Sequence, residues 1–543
     1  MIANDFDSNL QQYFFKYFSD IETVDWKNWL KVNSREEYQE LALKLSGLKE
    51  LENLYGKLQH EKTNSRDFSI QINSFIKNYE GNDPLVFCHT SGSTNSNIAG
   101  LKWFFFSKPL IQRLWAPGMR AIFESSGLTT NNSAIIFVPS RMSTDGLNQI
   151  AERRYISLYS SEFSQRIMLS LIKPKNYLFY EYKNSRNIEI ISKILDMDNI
   201  SIISAPALTV LNWADINKFK YGLQKSISSN SNKEELMSNT TFKLIKSKGL
   251  DAAAKAIQTR LSNKLSNSTL IFSITSLSKS KWSLLAKFMN WKKGKEKFTN
   301  LYVGSEIGPF ASSLSYDIAR SNLMHVFPLT IPVIEYKGKR NLITQTTDKR
   351  GNLLISRFDN AKPLLNIDTG DIISVQINDK IPLIKGEILR NNFQLKYPLK
   401  ISKKVRKPSI YEIFAGDFFS FKEFELVDPK NLLRCLKSKC GLQNDSLLLI
   451  KSESENRTWK LILPANINTI CKTKEDYLTQ FFNCPHEKSF QQAIKENNIE
   501  LELIDDSPID FLASREKIVS KVRRGQIPKG ILKKWPIYIV VPS

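Results

Sequence analysis

The chain has 543 residues, 41% hydrophobic and 24% charged, a balance that excludes wholesale disorder and allows two large domains or several smaller ones. Lysine and arginine outnumber aspartate and glutamate by 77 to 54, so the net charge is +23 and the surface attracts polyanions. The apolar runs are far shorter than the roughly 18 residues of a spanning helix, and no signal-peptide pattern opens the sequence, so we expect a cytoplasmic protein without a membrane span.

The cysteines are few and odd in number: Cys88, Cys435, Cys440, Cys471 and Cys484. A disulfide framework needs a denser and paired set, so the sequence favours reduced thiols. Together with His486, the last four could supply soft ligands for a zinc ion. Their irregular spacing makes this the weaker interpretation.

In chain order, residues 1–80 form a helical lead-in, because their apolar residues recur at helical spacing. Strands then alternate with helices. The predicted strands are 84–88, 134–138, 200–204, 270–274 and 300–303, and the predicted helices include 161–171, 186–195 and 281–293. This alternation indicates an α/β fold with mostly parallel sheets.

The pattern changes between about 320 and 400, where short strands separated by turn signals predict a β-rich, barrel-like subdomain. These strands are 326–329, 331–336, 342–346, 353–357, 372–377 and 383–388. A basic, hinge-like stretch at 399–408 then favours a domain boundary after residue 405.

The last part of the chain, 406–543, mixes two kinds of element. Its predicted helices are 429–440, 474–482 and 489–497, and its predicted strands are 447–452, 458–463, 500–504 and 537–541. We therefore expect a large N-terminal domain, 1–405, and a smaller α+β C-terminal domain.

A hydroxyl-rich loop follows the first predicted strand and reads Thr90-Ser91-Gly92-Ser93-Thr94. Backbone N–H groups around a glycine and side-chain hydroxyls are suited to phosphate oxygens. No Gly-Lys-Ser/Thr sequence closes the loop, so it is not a Walker A loop. A serine- and threonine-rich surface turn is the alternative.

A second polar segment, Tyr302-Val303-Gly304-Ser305-Glu306, lies where the predicted strand 300–303 ends. A carboxylate at that position can hold a Mg²⁺ ion that bridges phosphate oxygens. The alternative is a helix start, with Ser305 as the N-cap and Glu306 in the first turn.

A third segment, Asp368-Thr369-Gly370-Asp371, lies between two predicted strands. The carboxylate of Asp371 can accept two hydrogen bonds from vicinal ribose hydroxyls. An aspartate in a plain hairpin turn explains the pattern equally well.

In this order the three segments resemble the motifs of the adenylate-forming (ANL) superfamily, closest in style to its phenylacetate–CoA ligase and acyl-protein synthetase branch. Residues 90–94 are similar to its phosphate loop, 302–306 to its Tyr-Gly-x-Thr-Glu motif and 368–371 to its Thr-Gly-Asp segment. The resemblance spans the chain from about residue 84. It implies that ATP converts a carboxylic acid into an acyl-adenylate with release of pyrophosphate, and that a thiol or an amine then takes the acyl group.

The resemblance also implies a role for each matching residue. Phosphates are expected on Ser91, Ser93 and Thr94, and Thr90, Gly92 and Gly304 are expected among the cofactor-binding residues. Glu306 is expected to bind Mg²⁺, Ser305 phosphate or the substrate carboxylate, and Asp371 the ribose, while Tyr302 would lie against the adenine. Arg406 is the nearest match to the hinge residue of the family's mobile C-terminal lid. Lys529 is favoured as the catalytic lysine over its rivals Lys517 and Lys521. His89 and Ser143 are expected beside the substrate.

The implied ligands are ATP, Mg²⁺ and a small carboxylic acid, with CoA or the phosphopantetheine of an acidic acyl carrier protein as acceptor. Two alternatives stay open. Asn95 and Ile98 replace the usual glycine and lysine of the phosphate loop, which leaves room for a non-catalytic relative. The charge alone would also suit a basic binding protein for nucleic acid or an acidic partner, although no zinc-finger, RNP-like or helix-turn-helix signature supports nucleic acid.

Overall fold

A computed structural model describes most of the chain. The described residues are 2–47, 52–63, 69–90, 101–142, 144–229, 239–273, 279–314, 323–345, 350–358, 363–377, 382–385, 389–390, 393–399, 409–416, 419–426, 429–442, 446–452, 459–464, 470–484, 487–504, 515–524, 526–527, 531 and 535–542.

Backbone contacts divide the chain into two compact units. The first consists of Met1–Thr90, Trp103–Thr369 and Ile373–Glu387, and the second of Ser91–Lys102, Gly370–Ile372 and Ile388–Ser543. The boundary expected after residue 405 lies outside the described residues and stays a prediction.

The strands of the first unit are β1 (Ile2–Asp5), β2 (Leu85–His89), β3 (Trp103–Phe105), β4 (Ser133–Val138), β5 (Gly146–Ile150), β6 (Arg153–Tyr159), β7 (Asn176–Glu181), β8 (Ile200–Ser204), β9 (Thr269–Ser273), β10 (Phe298–Gly304), β11 (Gly308–Ser312), β12 (Leu323–Val326), β13 (Ile331–Tyr336), β14 (Lys339–Leu342), β15 (Arg350–Phe358), β16 (Pro363–Ile377) and β17 (Pro382–Lys385). The middle of β16, Gly370–Ile372, groups with the second unit.

The helices of the first unit are α1 (Ser8–Phe18), α2 (Arg35–Ser46), α3 (Glu52–His60), α4 (Ile72–Asn78), α5 (Lys108–Leu110), α6 (Ala116–Ser125), α7 (Ser160–Ile172), α8 (Ile188–Asp196), α9 (Ala207–Ala214), α10 (Ile216–Ser229), α11 (Thr240–Lys248), α12 (Leu250–Leu265) and α13 (Lys279–Phe288). Short 3₁₀ turns cover Trp26–Lys31, Tyr182–Asn184 and Ile343–Gln345, and a π-helical turn covers Ile111–Trp115.

The large sheet of the first unit has the strand order β1-β7-β4-β8-β9-β10-β11-β12-β17-β16-β15-β13-β14. The first six of these strands are parallel, and β11 turns back antiparallel to β10. A second sheet has the order β3-β2-β6-β5, and its β2 and β6 are parallel. The predicted α/β fold, followed by a β-rich stretch, is confirmed. The sheets are mixed, because the parallel run from β1 to β10 continues into antiparallel strands.

Helix α7 lies between these two sheets. Its apolar residues Phe163 and Ile167 share one core cluster with Val86 of β2 and with Ile136 of β4. Nearly all of the helix is buried, which is expected for a helix that has a sheet on each side. The opposite face of the large sheet carries a second core, to which helices α8 to α13 contribute. The layered packing therefore fixes the direction of α7 and the position of its first residue.

A buried charge network ties α7 to the first strand. The guanidinium of Arg166 is fully buried, 3.0 Å from Asp5 of β1 and 2.7 Å from Glu162. Arg141, which follows β4, reaches Glu162 at 2.5 Å and Asp7 at 2.7 Å. A buried cation is costly unless carboxylates pair with it. The position of α7 therefore depends on all of these ion pairs together.

The second unit is an α+β structure. Its strands are β18 (Leu389–Arg390), β19 (Phe393–Leu399), β20 (Ser409–Ala415), β21 (Phe419–Ser420), β22 (Glu425–Leu426), β23 (Leu447–Lys451), β24 (Trp459–Pro464), β25 (Ile499–Ile504) and β26 (Ile537–Pro542). Its helices are α14 (Pro429–Cys440), α15 (Lys474–Phe482), α16 (Lys488–Lys495) and α17 (Arg515–Arg523). One sheet has the order β19-β20-β26-β23-β24-β25. The predicted small α+β domain is confirmed in its architecture.

The cysteine prediction is wrong for one pair. Cys435 of α14 and Cys484, two residues beyond α15, form a disulfide, with their Cα atoms 5.9 Å apart. The bridge forms because the two helices pack together and bring residues 49 positions apart within bonding reach. Cys435 and Cys484 are therefore not available as zinc ligands. Disulfides are uncommon in a reducing cytosol, and the cytoplasmic location stays a prediction.

Two strand predictions in the β-rich stretch are wrong. The strand predicted at 326–329 overlaps β12 only at Val326, where β12 ends. The strand predicted at 342–346 overlaps β14 only at Leu342, and a 3₁₀ turn follows. Leu329 and Ile343 are buried in turns, so their apolar character reports burial and not strand pairing, while Phe327 makes one last backbone hydrogen bond, to Phe310 of β11, beyond the end of β12. Among the described residues, no helix combines the length and apolar character that crossing a bilayer requires.

Candidate functional site

The polar side chains that the sequence singled out gather where several strands end. Strands β2 and β6 run parallel, with His89 opposite Tyr159, so both carboxyl ends lie at one edge of their sheet. Helix α7 begins immediately after β6, at Ser160. Tyr159 precedes the helix and provides no side-chain cap for its first N–H groups. Uncapped N–H groups at a helix start favour anions.

The second motif forms a tight hairpin. Gly304 pairs with Gly308, and Ser305, Glu306 and Ile307 form the turn between β10 and β11. Gly308 has a φ of +72°, a left-handed conformation that favours glycine. The alternative of a helix start at Ser305 is wrong, because the chain reverses direction here instead of winding into a helix.

This hairpin contacts the end of β2. The Oγ atom of Ser305 donates a hydrogen bond to the carbonyl oxygen of His89 at 3.2 Å and lies 3.1 Å from the Oγ atom of Ser160. His89 is the residue that precedes the hydroxyl-rich loop. The fold therefore brings the second motif, the start of the first motif and the first residue of α7 together.

Arg357 anchors the turn of the hairpin. Its guanidinium donates to the carbonyl oxygen of Glu306 at 3.0 Å and lies 5.2 Å from the centre of the Phe106 ring. The residue belongs to β15 and is 5% exposed. Because this contact fixes the backbone of Glu306, it also fixes the position from which the half-buried Glu306 side chain extends.

A buried histidine–aspartate pair lies beneath the same edge. The Nε2 atom of His89 is 2.7 Å from Oδ1 of Asp145, and both side chains are fully buried. The Nδ1 atom of His89 lies 2.9 Å from the carbonyl oxygen of Thr90, and Oδ2 of Asp145 accepts from the backbone N–H of Met142 at 3.1 Å. Burial, followed by the charge of Asp145, raises the pKa of the neighbouring Tyr159.

Two further predicted residues lie within strands. Tyr302 is buried in β10, with its ring edge-on to Phe310 at 5.2 Å between centroids. Asp371 is 5% exposed and lies inside the continuous strand β16, opposite Arg390 of β18. The predicted hairpin turn between two strands at this point is wrong, because the left-handed glycine at 370, with φ +67°, is accommodated inside β16. The adenine and ribose roles of these two residues stay predictions.

Several predicted residues lie outside the described part of the chain. They are Ser91, Gly92, Ser93, Thr94, Ser143, Arg406 and Lys529. The rival lysines, Lys517 and Lys521, lie on α17, where Lys517 is exposed and Lys521 half-buried.

Three residues of the site were missed by the sequence analysis: Asp145, Ser160 and Arg357. Asp145 lies in the polar segment after β4, and Ser160 lies at the start of a helix. Both positions are common for ligand-binding residues, but they indicate such a role only weakly. Arg357 stands in a strand, and nothing in the sequence distinguishes it from other arginines. Its contact with Glu306 joins residues 51 positions apart.

The donor set fits a magnesium–nucleotide ligand. Mg²⁺ in nucleotide sites takes one or two carboxylates and completes its shell with phosphate oxygens and water. The Glu306 carboxylate can supply the first kind of ligand, while the Ser160 hydroxyl and the N–H groups at the start of α7 can donate to phosphate oxygens. Within the described ranges, no cluster of three or more histidine, cysteine or acidic side chains forms a separate metal cage.

No protein-family model matches the chain, and no curated protein matches its sequence. Among solved structures, it is similar to the GH3.15 acyl acid amido synthetase, with 12% identity, 98% of each chain covered and a TM-score of 0.44. It is also similar to the fatty acyl-adenylate ligases from E. coli and L. pneumophila, with 10% identity, 81% of this chain and 69% of that chain covered and a TM-score of 0.38. A third structure is O-succinylbenzoate coenzyme A synthetase from Bacillus subtilis in complex with AMP, with 9% identity, coverage of 77% and 65%, and a TM-score of 0.36.

These solved structures belong to the enzyme group that the sequence motifs resemble. The similarity covers most of the chain at low identity.

Proposed function

We propose that the chain activates a carboxylic acid with ATP, forming an acyl-adenylate and pyrophosphate, and then transfers the acyl group to a thiol or an amine. The observation that carries this proposal is the pair of contacts of the Ser305 hydroxyl, 3.2 Å from the His89 carbonyl oxygen and 3.1 Å from the Ser160 hydroxyl. They set a carboxylate-bearing turn and the start of a buried helix beside the first residue of a hydroxyl-rich loop.

The reaction needs this kind of site. A carboxylate oxygen of the acid attacks the α-phosphorus of ATP, and the bond from that phosphorus to the pyrophosphate oxygen breaks. Both reactants are anions, so catalysis depends on positioning and on neutralising charge. Glu306 would hold Mg²⁺, which would supply charge neutralisation when bound. The start of α7 and the Ser160 hydroxyl, which Ser305 holds in place, orient phosphate oxygens, Asp371 binds the ribose, and Lys529 supplies the mobile positive charge.

The test is acid-dependent release of pyrophosphate from MgATP over a panel of aromatic, fatty and amino acids. We expect Glu306→Gln to lower kcat by about 100-fold, the order of effect seen when one transition-state contact is removed. The matched control is Glu152→Gln, which changes an exposed carboxylate in the hairpin between β5 and β6 and should leave kcat unchanged. Asp371→Asn should raise the KM for ATP by about tenfold, because an ionised hydrogen-bond acceptor is lost.

The remaining outcomes of this assay distinguish a non-catalytic relative from a basic binding protein. No release with any acid, while ATP still binds, would favour a non-catalytic relative. Failure to bind ATP would contradict the proposal, and a salt-dependent complex with nucleic acid would then favour a basic binding protein. In an active chain, acceptor competition among CoA, a carrier-bound phosphopantetheine thiol and amines identifies the second step.

A further inference from the structure

We propose that His89 is a positioning residue of this site. Its buried imidazole, paired with Asp145, fixes the Thr90 carbonyl from which the hydroxyl-rich loop departs, and its backbone carbonyl holds Ser305. This inference rests on the proposed function, since the loop and Ser305 are the groups proposed to orient ATP. It differs from the sequence-based expectation that His89 contacts the substrate.

The burial of His89 favours positioning over substrate contact. The residue has no exposed surface, and its ring lies 4.6 Å from that of Trp103 and 4.3 Å from that of Tyr159, measured between centroids. Both ring nitrogens already lie within hydrogen-bond distance of groups of this chain. A substrate would have to displace one of these contacts to reach the imidazole.

The hydrogen-bond pattern explains why a histidine stands here. Nδ1 faces the carbonyl oxygen of Thr90, which can only accept, and Nε2 faces the carboxylate of Asp145. Histidine is the side chain whose two ring nitrogens can each present an N–H in these two directions. Asp145 is itself held by the Met142 N–H. The pair therefore connects the segment after β4 to the end of β2.

The same residue acts through its backbone. The His89 carbonyl oxygen accepts from Ser305 at 3.2 Å, while its side chain engages the next carbonyl along the chain. Movement of the imidazole would shift both the first peptide of the loop and the hairpin that carries Glu306. We therefore expect loss of the imidazole to weaken ATP binding more than it changes the chemistry of the bound complex.

Two substitutions separate the contacts of the two ring nitrogens. The amide nitrogen of asparagine takes the place of Nδ1, so His89→Asn keeps the donor toward Thr90. The amide nitrogen of glutamine takes the place of Nε2, so His89→Gln keeps the donor toward Asp145 alone. The matched control is His325→Gln, which makes the same change at another buried histidine, on β12.

The first measurement is hydrogen exchange of peptides spanning residues 85–105, which reports on the loop without requiring activity. The second is the kinetics of pyrophosphate release. We expect His89→Gln to speed exchange in these peptides and to raise the KM for ATP about tenfold with kcat within about twofold, the effect of one lost charge-assisted hydrogen bond. His89→Asn should change both measurements less, and His325→Gln should change neither.

Asp145 provides a second test that spares His89. In Asp145→Asn the amide can accept from Met142 and donate to a neutral imidazole whose other nitrogen still donates to Thr90, so we expect the KM for ATP within about twofold of wild type. Asp145→Ala removes the partner of Nε2 and leaves Nδ1 facing Thr90, so it should behave like His89→Asn and change both measurements less than His89→Gln.

Exchange at 85–105 that stays at the wild-type rate in His89→Gln and Asp145→Ala would overturn the positioning role, and so would an unchanged KM for ATP in an active enzyme. A wild-type chain that neither binds ATP nor releases pyrophosphate would instead overturn the proposed function. The exchange comparison would then still decide whether His89 holds the start of the loop.

Discussion

Two histidines are buried in the first unit, and their surroundings differ. His89 pairs with a carboxylate, whereas neither ring nitrogen of His325 has a hydrogen-bond partner among the described residues. His325 lies on β12, opposite Ser312 of β11, and is 8% exposed. Burial lowers its pKa to about 4, so the ring is neutral at physiological pH.

His325 makes stability depend on pH in a definite direction. Its pKa in the folded chain, about 4, lies below the unfolded value of 6.5. As the pH falls from about 6.5 to about 4, the unfolded chain therefore takes up a proton that the folded chain does not. Between pH 7.5 and pH 5 this costs the first unit about 2 kcal/mol of unfolding free energy. Urea unfolding at both pH values measures the loss.

The variant His325→Gln cannot titrate at this position. Its unfolding free energy should therefore change by about 2 kcal/mol less than that of the wild type over the same pH interval. Equal changes in the two proteins would show that His325 does not contribute to the pH dependence.

The sequence identified some site residues because they stand in short motifs, and missed others because their role comes from distant contacts. Ser305 and Glu306 stand in a pattern of strand, glycine and polar residues that predicts ligand binding. Asp145 becomes important only because the fold brings it to His89, 56 positions away. Side-chain type and spacing along the chain carry no information about such a contact.

Among the elements, Gly351 and Gly56 differ in whether their surroundings leave room for a side chain. A Cβ atom at Gly351 of β15 would lie 2.6 Å from the carbonyl oxygen of Glu335 on the neighbouring strand β13, too close for any real contact. A Cβ atom at Gly56, which is exposed on α3, would meet nothing within 4 Å.

Alanine at these two positions should change stability in opposite directions. Gly351→Ala forces β13 and β15 apart and should lower the unfolding free energy of the first unit by about 1–3 kcal/mol. Gly56→Ala removes the entropic cost of glycine in a helix and should raise it by about 0.5–1 kcal/mol. Thermal unfolding of the two variants tests both signs, and two shifts of the same sign would contradict this account.

Elements with a local signal were predicted well. The capped helix 474–482 and the apolar strand 200–204 have the predicted bounds, because a Thr473–Asp476 capping box starts the helix and continuous burial marks the strand. The strand predicted at 326–329 failed because the chain leaves the sheet after Phe327, whose N–H still donates to the Phe310 carbonyl of β11, and Leu329 is buried in the turn that follows. The interruption predicted at Gly370 failed because β16 continues through a left-handed residue. Apolar character and turn residues report burial and backbone freedom, while strand pairing depends on the rest of the chain.

For the molecule as a whole, the disulfide between Cys435 and Cys484 lies within the second unit. It closes a loop across a sequence separation of 49 residues, which contains the end of α14 and all of β23, β24 and α15. Closing a loop of this length restricts the unfolded chain and stabilises the folded unit by about 4 kcal/mol on the chain-entropy estimate.

Reduction should therefore lower the stability of the second unit and leave the first unit unchanged. The measurement is hydrogen exchange of peptides from β24 and, for comparison, from β8, in urea with and without dithiothreitol. The double variant Cys435→Ser/Cys484→Ser is the control and should not respond to the reductant. A wild-type midpoint for β24 that is indifferent to dithiothreitol would show that the bridge adds no stability.

The strand β26, residues Ile537–Pro542, lies in the interior of its sheet, antiparallel to β20 on one side and parallel to β23 on the other. During synthesis, β26 is made after all the other strands of this sheet. Until it emerges, β19 and β20 form one group and β23, β24 and β25 another, with the place of β26 between them empty. The sheet of the second unit can close only after residue 542 has left the exit tunnel. Until then β20 and β23 each present an unpaired edge to solvent or to chaperones. A premature stop codon before position 537 would leave both edges exposed permanently and should send the truncated product to degradation.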